Sequence, residues 1–141
     1  MIKVLQRPSL WTIFSGAIAI IILMFIILNK APIGIDDRKK IPVGKAQIHA
    51  VENLIIQYYT DTGYYPSTSE GLKALMERPS GPAGAQWNGP YAREPKFTDG
   101  WGYLLHYKCP GTHNPDTYDL WSYGADGKEG GKEKNADIGN W

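Results

Sequence analysis

Apolar and polar positions change their period three times along the chain. Residues 10–28 show no alternation: Leu-Trp-Thr-Ile-Phe-Ser-Gly-Ala-Ile-Ala-Ile-Ile-Ile-Leu-Met-Phe-Ile-Ile-Leu runs without a charge. As a helix this run spans roughly 28 Å, close to the hydrocarbon thickness of a bilayer. Trp11 lies near one boundary, where its amphipathic ring suits the interface. The pattern predicts an N-terminal transmembrane helix kept as an anchor. It is long for a secretory signal, and no small-x-small cleavage site follows it cleanly. Before it, residues 1–9 form a short basic segment with Lys3 and Arg7. After it, residues 29–42 contain Pro32, Gly34 and Pro42 and read as a linker, because proline removes a backbone donor and clashes with the preceding helical turn.

From residue 43 the period becomes helical. Ile48, Val51, Ile55 and Tyr58 share one face, with Leu54 and Tyr59 beside them. Lys45, Gln47, Glu52, Asn53 and Gln57 fall mostly on the wetter side. This predicts an amphipathic spine helix ending at Asp61-Thr62-Gly63, where glycine supplies a left-handed cap. Ser67 and Glu70 have capping-box spacing, and a short helix should follow with Leu72, Leu75 and Met76 inward, stopped at Arg78-Pro79. Residues 80–95 are rich in Gly and Pro and read as loop, pinned by Trp87 and Tyr91. Residues 102–108 and 118–123 then alternate with period two, so both read as strands. The turn-forming segment between them predicts an antiparallel hairpin. The Gly-rich, charged tail ends in Ile138-Gly139-Asn140-Trp141, residues of the buried type, so it should return to the fold. The expected class is α+β: a transmembrane helix, then a spine helix packed on a small antiparallel sheet, with residues 43–141 as the globular domain.

Composition narrows the function. The formal net charge is +1, so no global field calls for nucleic acid. Cys109 is the only cysteine, which rules out an intrachain disulfide. His49, His106 and His113 show no metal spacing, and neither a Gly-x-Ser-x-Gly nor a P-loop occurs. The residues offer nothing for an enzyme. The terminal loop is the one arrangement with chemical content. Asp126, Asn135 and Asp137 place side-chain oxygens at both ends of a Gly-rich stretch, and Ca²⁺ takes six to eight oxygen ligands. It is not an EF-hand, since Lys128 and Gly130 stand at ligand positions. An ordinary surface loop with Asp-Gly turns is the simpler alternative on the residues alone.

Several stretches in a particular order carry a resemblance. They are Tyr65-Pro66-Ser67-Thr68-Ser69-Glu70-Gly71-Leu72-Lys73-Ala74-Leu75, Gly89-Pro90-Tyr91, Asp99-Gly100-Trp101-Gly102, Tyr118-Asp119-Leu120-Trp121-Ser122-Tyr123-Gly124-Ala125-Asp126-Gly127 and Asp137-Ile138-Gly139-Asn140-Trp141. In this combination the chain, from about Lys45 onward, resembles the major pseudopilin of the type II secretion system. The resemblance implies a helical spine with a small antiparallel sheet and a calcium ion held by the last loop. Asp126 and Asp137 match two of the family's side-chain ligands, and Tyr123 falls where a backbone carbonyl binds. Ala136 occupies the place of another acidic ligand, for which Asn135 can substitute. The resemblance also implies a single-pass protein of the bacterial inner membrane with its C-terminal domain in the periplasm. Its partners would be the membrane and other pseudopilin or secretion-machinery subunits, copies of itself among them. Lys30, Arg38, Lys39, Lys40 and Lys45 come after the span and by charge count alone favour a cytoplasmic domain; the resemblance outweighs that count. The N-terminus departs from the family: Gly16 is followed by Ala17-Ile18-Ala19-Ile20-Ile21, not by a Phe-Thr-Leu-Ile-Glu-like start. A second reading is an anchored extracytoplasmic module that stacks carbohydrate on Trp87, Trp101, Trp121 and surface tyrosines.

Overall fold

A computed structural model describes residues 37–93 and 97–141. The basic segment, the predicted anchor and most of the predicted linker lie outside the described residues. Among the described residues no helix is long and apolar enough to cross a membrane.

The first element is a 26-residue helix, α1, Asp37–Thr62. Its apolar stripe is the expected one: Ile48, Val51, Ile55 and Tyr58 are all buried, and Leu54 is half-buried. Burying a side chain of this size stabilises by roughly 1.5–3 kcal/mol, so the stripe is what holds α1 to the rest of the domain. Tyr59 stays outside and stacks on Tyr65 at 4.5 Å. Gly63 ends the helix at φ +75°, its N–H donating to the Tyr59 carbonyl at 2.8 Å.

The helix starts earlier than Val43, so the end of the predicted linker is its first turns and Pro42 lies inside it. Pro42 is the sixth residue of the helix, just past the first four N–H groups that lack intrahelical partners, so its cost is one hydrogen bond and a clash with the preceding turn. Tertiary contact offsets that cost. Ile41 packs against the core, and Gly44 lies within van der Waals reach of Ile138 and Trp101. The 99–102 turn approaches so closely that a β-carbon on Gly100 would collide with the Lys40 carbonyl.

After α1, Ser67 and Glu70 form the predicted capping box. The Ser67 N–H and hydroxyl donate to Glu70 Oε2 at 2.8 and 2.7 Å, and the Glu70 N–H reaches Ser67 Oγ at 3.3 Å. The next element is a 3-10 helix, Gly71–Leu75, which buries Ala74 and Leu75 and leaves Leu72 and Met76 half-buried. The loop after it holds one short helix that the Gly/Pro composition hid, α2, Pro82–Gln86. Trp87 and Tyr91 pin this segment as expected. The indole N–H of Trp87 donates to the Ala74 carbonyl, and the Tyr91 hydroxyl to Asp61, both at 2.8 Å.

The strands are shorter than the alternation suggests: β1, His106–Lys108, and β2, Asp119–Ser122. They pair antiparallel with Tyr107 opposite Leu120. The tail returns as β3, Ile138–Gly139, antiparallel to β2, giving the sheet order β1-β2-β3. Leu105, Tyr118, Leu120 and Ile138 cover the buried face of α1.

Candidate functional site

Two buried carboxylates organise the end of the domain that carries the terminal loop. Asp99 lies in the turn before β1, where its Oδ1 accepts the N–H groups of Trp101 and Tyr103, both at 2.9 Å. Its Oδ2 accepts the hydroxyl of Ser122 at the end of β2, and that hydroxyl accepts the Gly124 N–H at 3.0 Å. One side chain therefore joins the 99–103 turn, the central strand and the start of the terminal loop. Asp119, 2% exposed, does the same for the β1–β2 connection. It gathers the N–H groups of Thr112, His113 and Asn114 at 2.6–2.9 Å, together with the His113 ring and the Asn114 amide. Burial alone would raise the Asp119 pKa. The N–H groups of His113, Thr112 and Asn114, with the His113 ring, outweigh burial and hold it below the usual carboxylate range. Asn140 closes the far edge: its Oδ1 accepts the Leu120 N–H, and its own N–H donates to the Leu120 carbonyl. Asp99, Asp119, Ser122 and Asn140 stand in the motifs that carried the resemblance, and their spacing had given no hint that they form a hydrogen-bonded frame.

The terminal loop leaves β2 through a 3-10 turn, Gly124–Asp126, and comes back through a second, Glu133–Asn135. The two turns pack on each other. Gly124 has φ +71°, and a β-carbon there would collide with the carbonyls of Lys134 and Ala136, so only glycine permits this approach. Asp126 ends the first turn and accepts the Lys128 N–H at 3.2 Å. Asn135 ends the second. Asp137 turns its carboxylate across the loop onto the Gly130 N–H, at 3.1 and 3.0 Å to its two oxygens. Lys134 leaves the loop altogether and binds Asp37 at the start of α1 at 2.9 Å.

Among the described residues no three His, Cys, Asp or Glu side chains gather as a metal centre. A cation here would draw on two carboxylates, one carboxamide and backbone carbonyls. Such an all-oxygen donor set fits a hard cation and excludes the thiolate and imidazole chemistry of zinc. The structure brings Tyr123 and Asp137 to one cleft of about 410 Å³, where Asp126 and Asn135 are not part of the lining. The cleft also takes in His113, Glu129 and Trp141, residues the sequence reading did not single out for this role. One signal was present: the alternation of β2 placed Trp121 and Tyr123 on the same side of the strand.

Among the described residues, Trp87, Trp101 and Trp121 form no extended stacking platform. Trp87 packs edge-on against Tyr91 with its N–H engaged, and Trp101 lies against Gly44 with its indole nitrogen buried. Of the three only Trp121 faces the cleft.

Comparison with known proteins agrees with this architecture. The family model for type II secretion system (T2SS) protein G matches residues 33–141. The type II secretion system core protein G of Pseudomonas aeruginosa is 37% identical over 139 residues, covering 96% of each chain. That of Vibrio cholerae is 34% identical over 143 residues, covering 99% of this chain and 95% of the relative. The crystal structure of the major pseudopilin from the type 2 secretion system of enterohaemorrhagic Escherichia coli superposes with a TM-score of 0.58 at 26% identity, covering 98% of both chains. The spine helix, the three-stranded sheet and the match along almost the whole length place the chain in the type II secretion system protein G family.

Proposed function

We propose that the protein is a non-enzymatic structural subunit of a type II secretion pseudopilus and supports protein export. The observation that carries this reading is the near end-to-end match to the Pseudomonas aeruginosa core protein G. In this reading residues 10–28 anchor it in the inner membrane as a single pass, the domain faces the periplasm, and its partners are other subunits of the machine. Disrupting the gene should remove a set of folded proteins from the culture medium and leave them in the periplasm, and the wild-type chain should restore their export. An unchanged set of exported proteins, in a strain shown to lack the chain, overturns the proposal.

The same reading extends to calcium. Asp126 and Asp137 would supply carboxylates, Asn135 an amide oxygen and Tyr123 a carbonyl. Bound there, the ion would neutralise the carboxylates that the two ends of the loop contribute. The close packing of the two 3-10 turns and the all-oxygen donor set support it. A chelator-sensitive melting temperature is its signature.

A further inference from the structure

The first turns of α1 are held to the domain differently from the rest of the helix. The buried apolar stripe begins at Ile48; before it only Ile41 packs against the core, half-buried, and Gly44 is buried without a side chain to contribute. Pro42 removes one N–H from the ladder of this same stretch. A piece of helix two turns long is not stable alone in water. Residues 37–44 are therefore helical because other segments hold them so.

Those segments are the 99–102 turn and the returning arm of the terminal loop. The turn lies where a β-carbon on Gly100 would meet the Lys40 carbonyl and stand 3.3 Å from the Gly44 nitrogen. From the loop, Lys134 binds Asp37 at 2.9 Å, and Ile138 stands 3.5 Å from where a β-carbon of Gly44 would be, with Trp101 at 3.6 Å. Both grips depend on the loop being closed. Lys134 and Ile138 sit on the arm that closes it. The turn is joined to the other arm, since Asp99 binds Trp101 and Tyr103 with one oxygen and Ser122 with the other, and Ser122 accepts the Gly124 N–H. Gly124 is where the arms meet, pressed against the carbonyls of Lys134 and Ala136.

We propose that the terminal loop is a latch on the start of α1. Closed, it keeps residues 37–44 helical; open, it lets them fray as far as the stripe at Ile48. The reach of this stretch then grows from about 12 Å as helix to as much as about 27 Å as extended chain, at the end of the domain that continues into residues 1–36. Whatever binds only the closed loop orders the helix start, and by linkage whatever orders the helix start closes the loop. The latch rests on neither the subunit reading nor the calcium reading, and either can fail while it stands.

The test is amide hydrogen exchange, followed by NMR on the full chain in detergent micelles in one buffer. Val43, Gly44 and Lys45 report the helix start, Asn135 and Ala136 the loop, and Leu54, Ile56 and Gln57 the body of α1. Gly131→Ala pries the loop open: Gly131 is exposed, has φ +93°, and a β-carbon there would collide with the Asn135 carbonyl. Exchange in the loop should rise about tenfold, and at the helix start by the same factor, because the two open together. The body of α1 should not change, which also shows that the variant is folded. Lys134→Gln, an exposed change that leaves the core untouched, should speed the helix start about twofold. Pro42→Ala restores the missing helical N–H and should slow exchange in the loop several-fold, since coupling is reciprocal. A rise confined to the loop, a rise shared equally by Leu54, Ile56 and Gln57, a helix start untouched by Lys134→Gln, or loop exchange unchanged in Pro42→Ala would each overturn the proposal.

Discussion

At the scale of single residues, one carboxylate and several tyrosines inside the domain set how it responds to pH. Asp119 is held ionised by the turn around it, with a pKa lowered from 3.8. In the unfolded chain it protonates near its ordinary value, so the stability it contributes is present above that value and is lost as pH falls through the lower, folded one. Tyr58 works in the opposite direction. Burial, with smaller contributions from Glu70 and Tyr91, pushes its pKa from 10.0 up to about 12. Its contribution is intact below pH 10 and disappears as pH rises towards 12, because the unfolded state releases the proton first. Burial raises Tyr107 and Tyr118 as well, so the alkaline loss is shared. Urea melts between pH 9 and pH 11.5 should show stability falling steeply. The Tyr58 hydroxyl is also buried without a hydrogen-bond partner. Tyr58→Phe removes that unsatisfied group, and should leave the domain as stable as wild type or more stable by about 1 kcal/mol at pH 7. It should also flatten the alkaline slope by up to about 1.4 kcal/mol per pH unit. A loss of stability at pH 7 would show that the hydroxyl has a partner in solution. Asp119→Asn puts an NH₂ group among N–H donors, and should cost about 3 kcal/mol in the same melts.

At the scale of elements, the terminal loop is closed by several weak ties: β3 on β2, the packing of the two 3-10 turns, and Lys134 on Asp37. The Lys134–Asp37 pair is exposed, and such pairs contribute little. A bound cation would add a larger constraint. Binding only to the folded state stabilises by about 2.7 kcal/mol at a hundred times Kd. For a domain of this size that corresponds to a rise in melting temperature of roughly 10 °C. Chelator should lower the melting temperature by that order. Asp126→Ala should erase the difference, while leaving the Asp137 bond to Gly130 in place. Identical melts with and without chelator, in protein first shown to be metal-free, would leave the loop to hydrogen bonds alone.

The elements also differ in how far the chain announces them. The α1 stripe was legible because Ile48, Val51, Ile55 and Tyr58 repeat at helical spacing, and the Ser67–Glu70 box because its chemistry is local. The early start of α1 was not, because what admits Pro42 is the 99–102 turn pressing on Lys40, a contact distant in sequence that only Gly100 allows. The frames around Asp99 and Asp119 were hidden for the same reason. Nothing in the spacing of Asp99 and Ser122 says that they meet. The candidate calcium residues were found by type, yet the aromatic cluster beside them depends on Trp141 folding back over His113, which no local pattern encodes.

At the scale of the molecule, α1 keeps one side for the core and offers the other. Ile56, 54% exposed, and Tyr59, 44% exposed, lie away from the sheet with Tyr64 beyond them. A subunit of a pseudopilus needs such a face for its neighbours, whereas a module acting alone does not. The most direct test replaces Ile56 with a photoreactive phenylalanine analogue in cells that carry the whole secretion machinery, then irradiates and examines the membranes. The account predicts a ladder of crosslinked species that all contain this chain, with steps near its mass of 15.7 kDa. A lone monomer band, in cells verified to be exporting protein through the system, would contradict it.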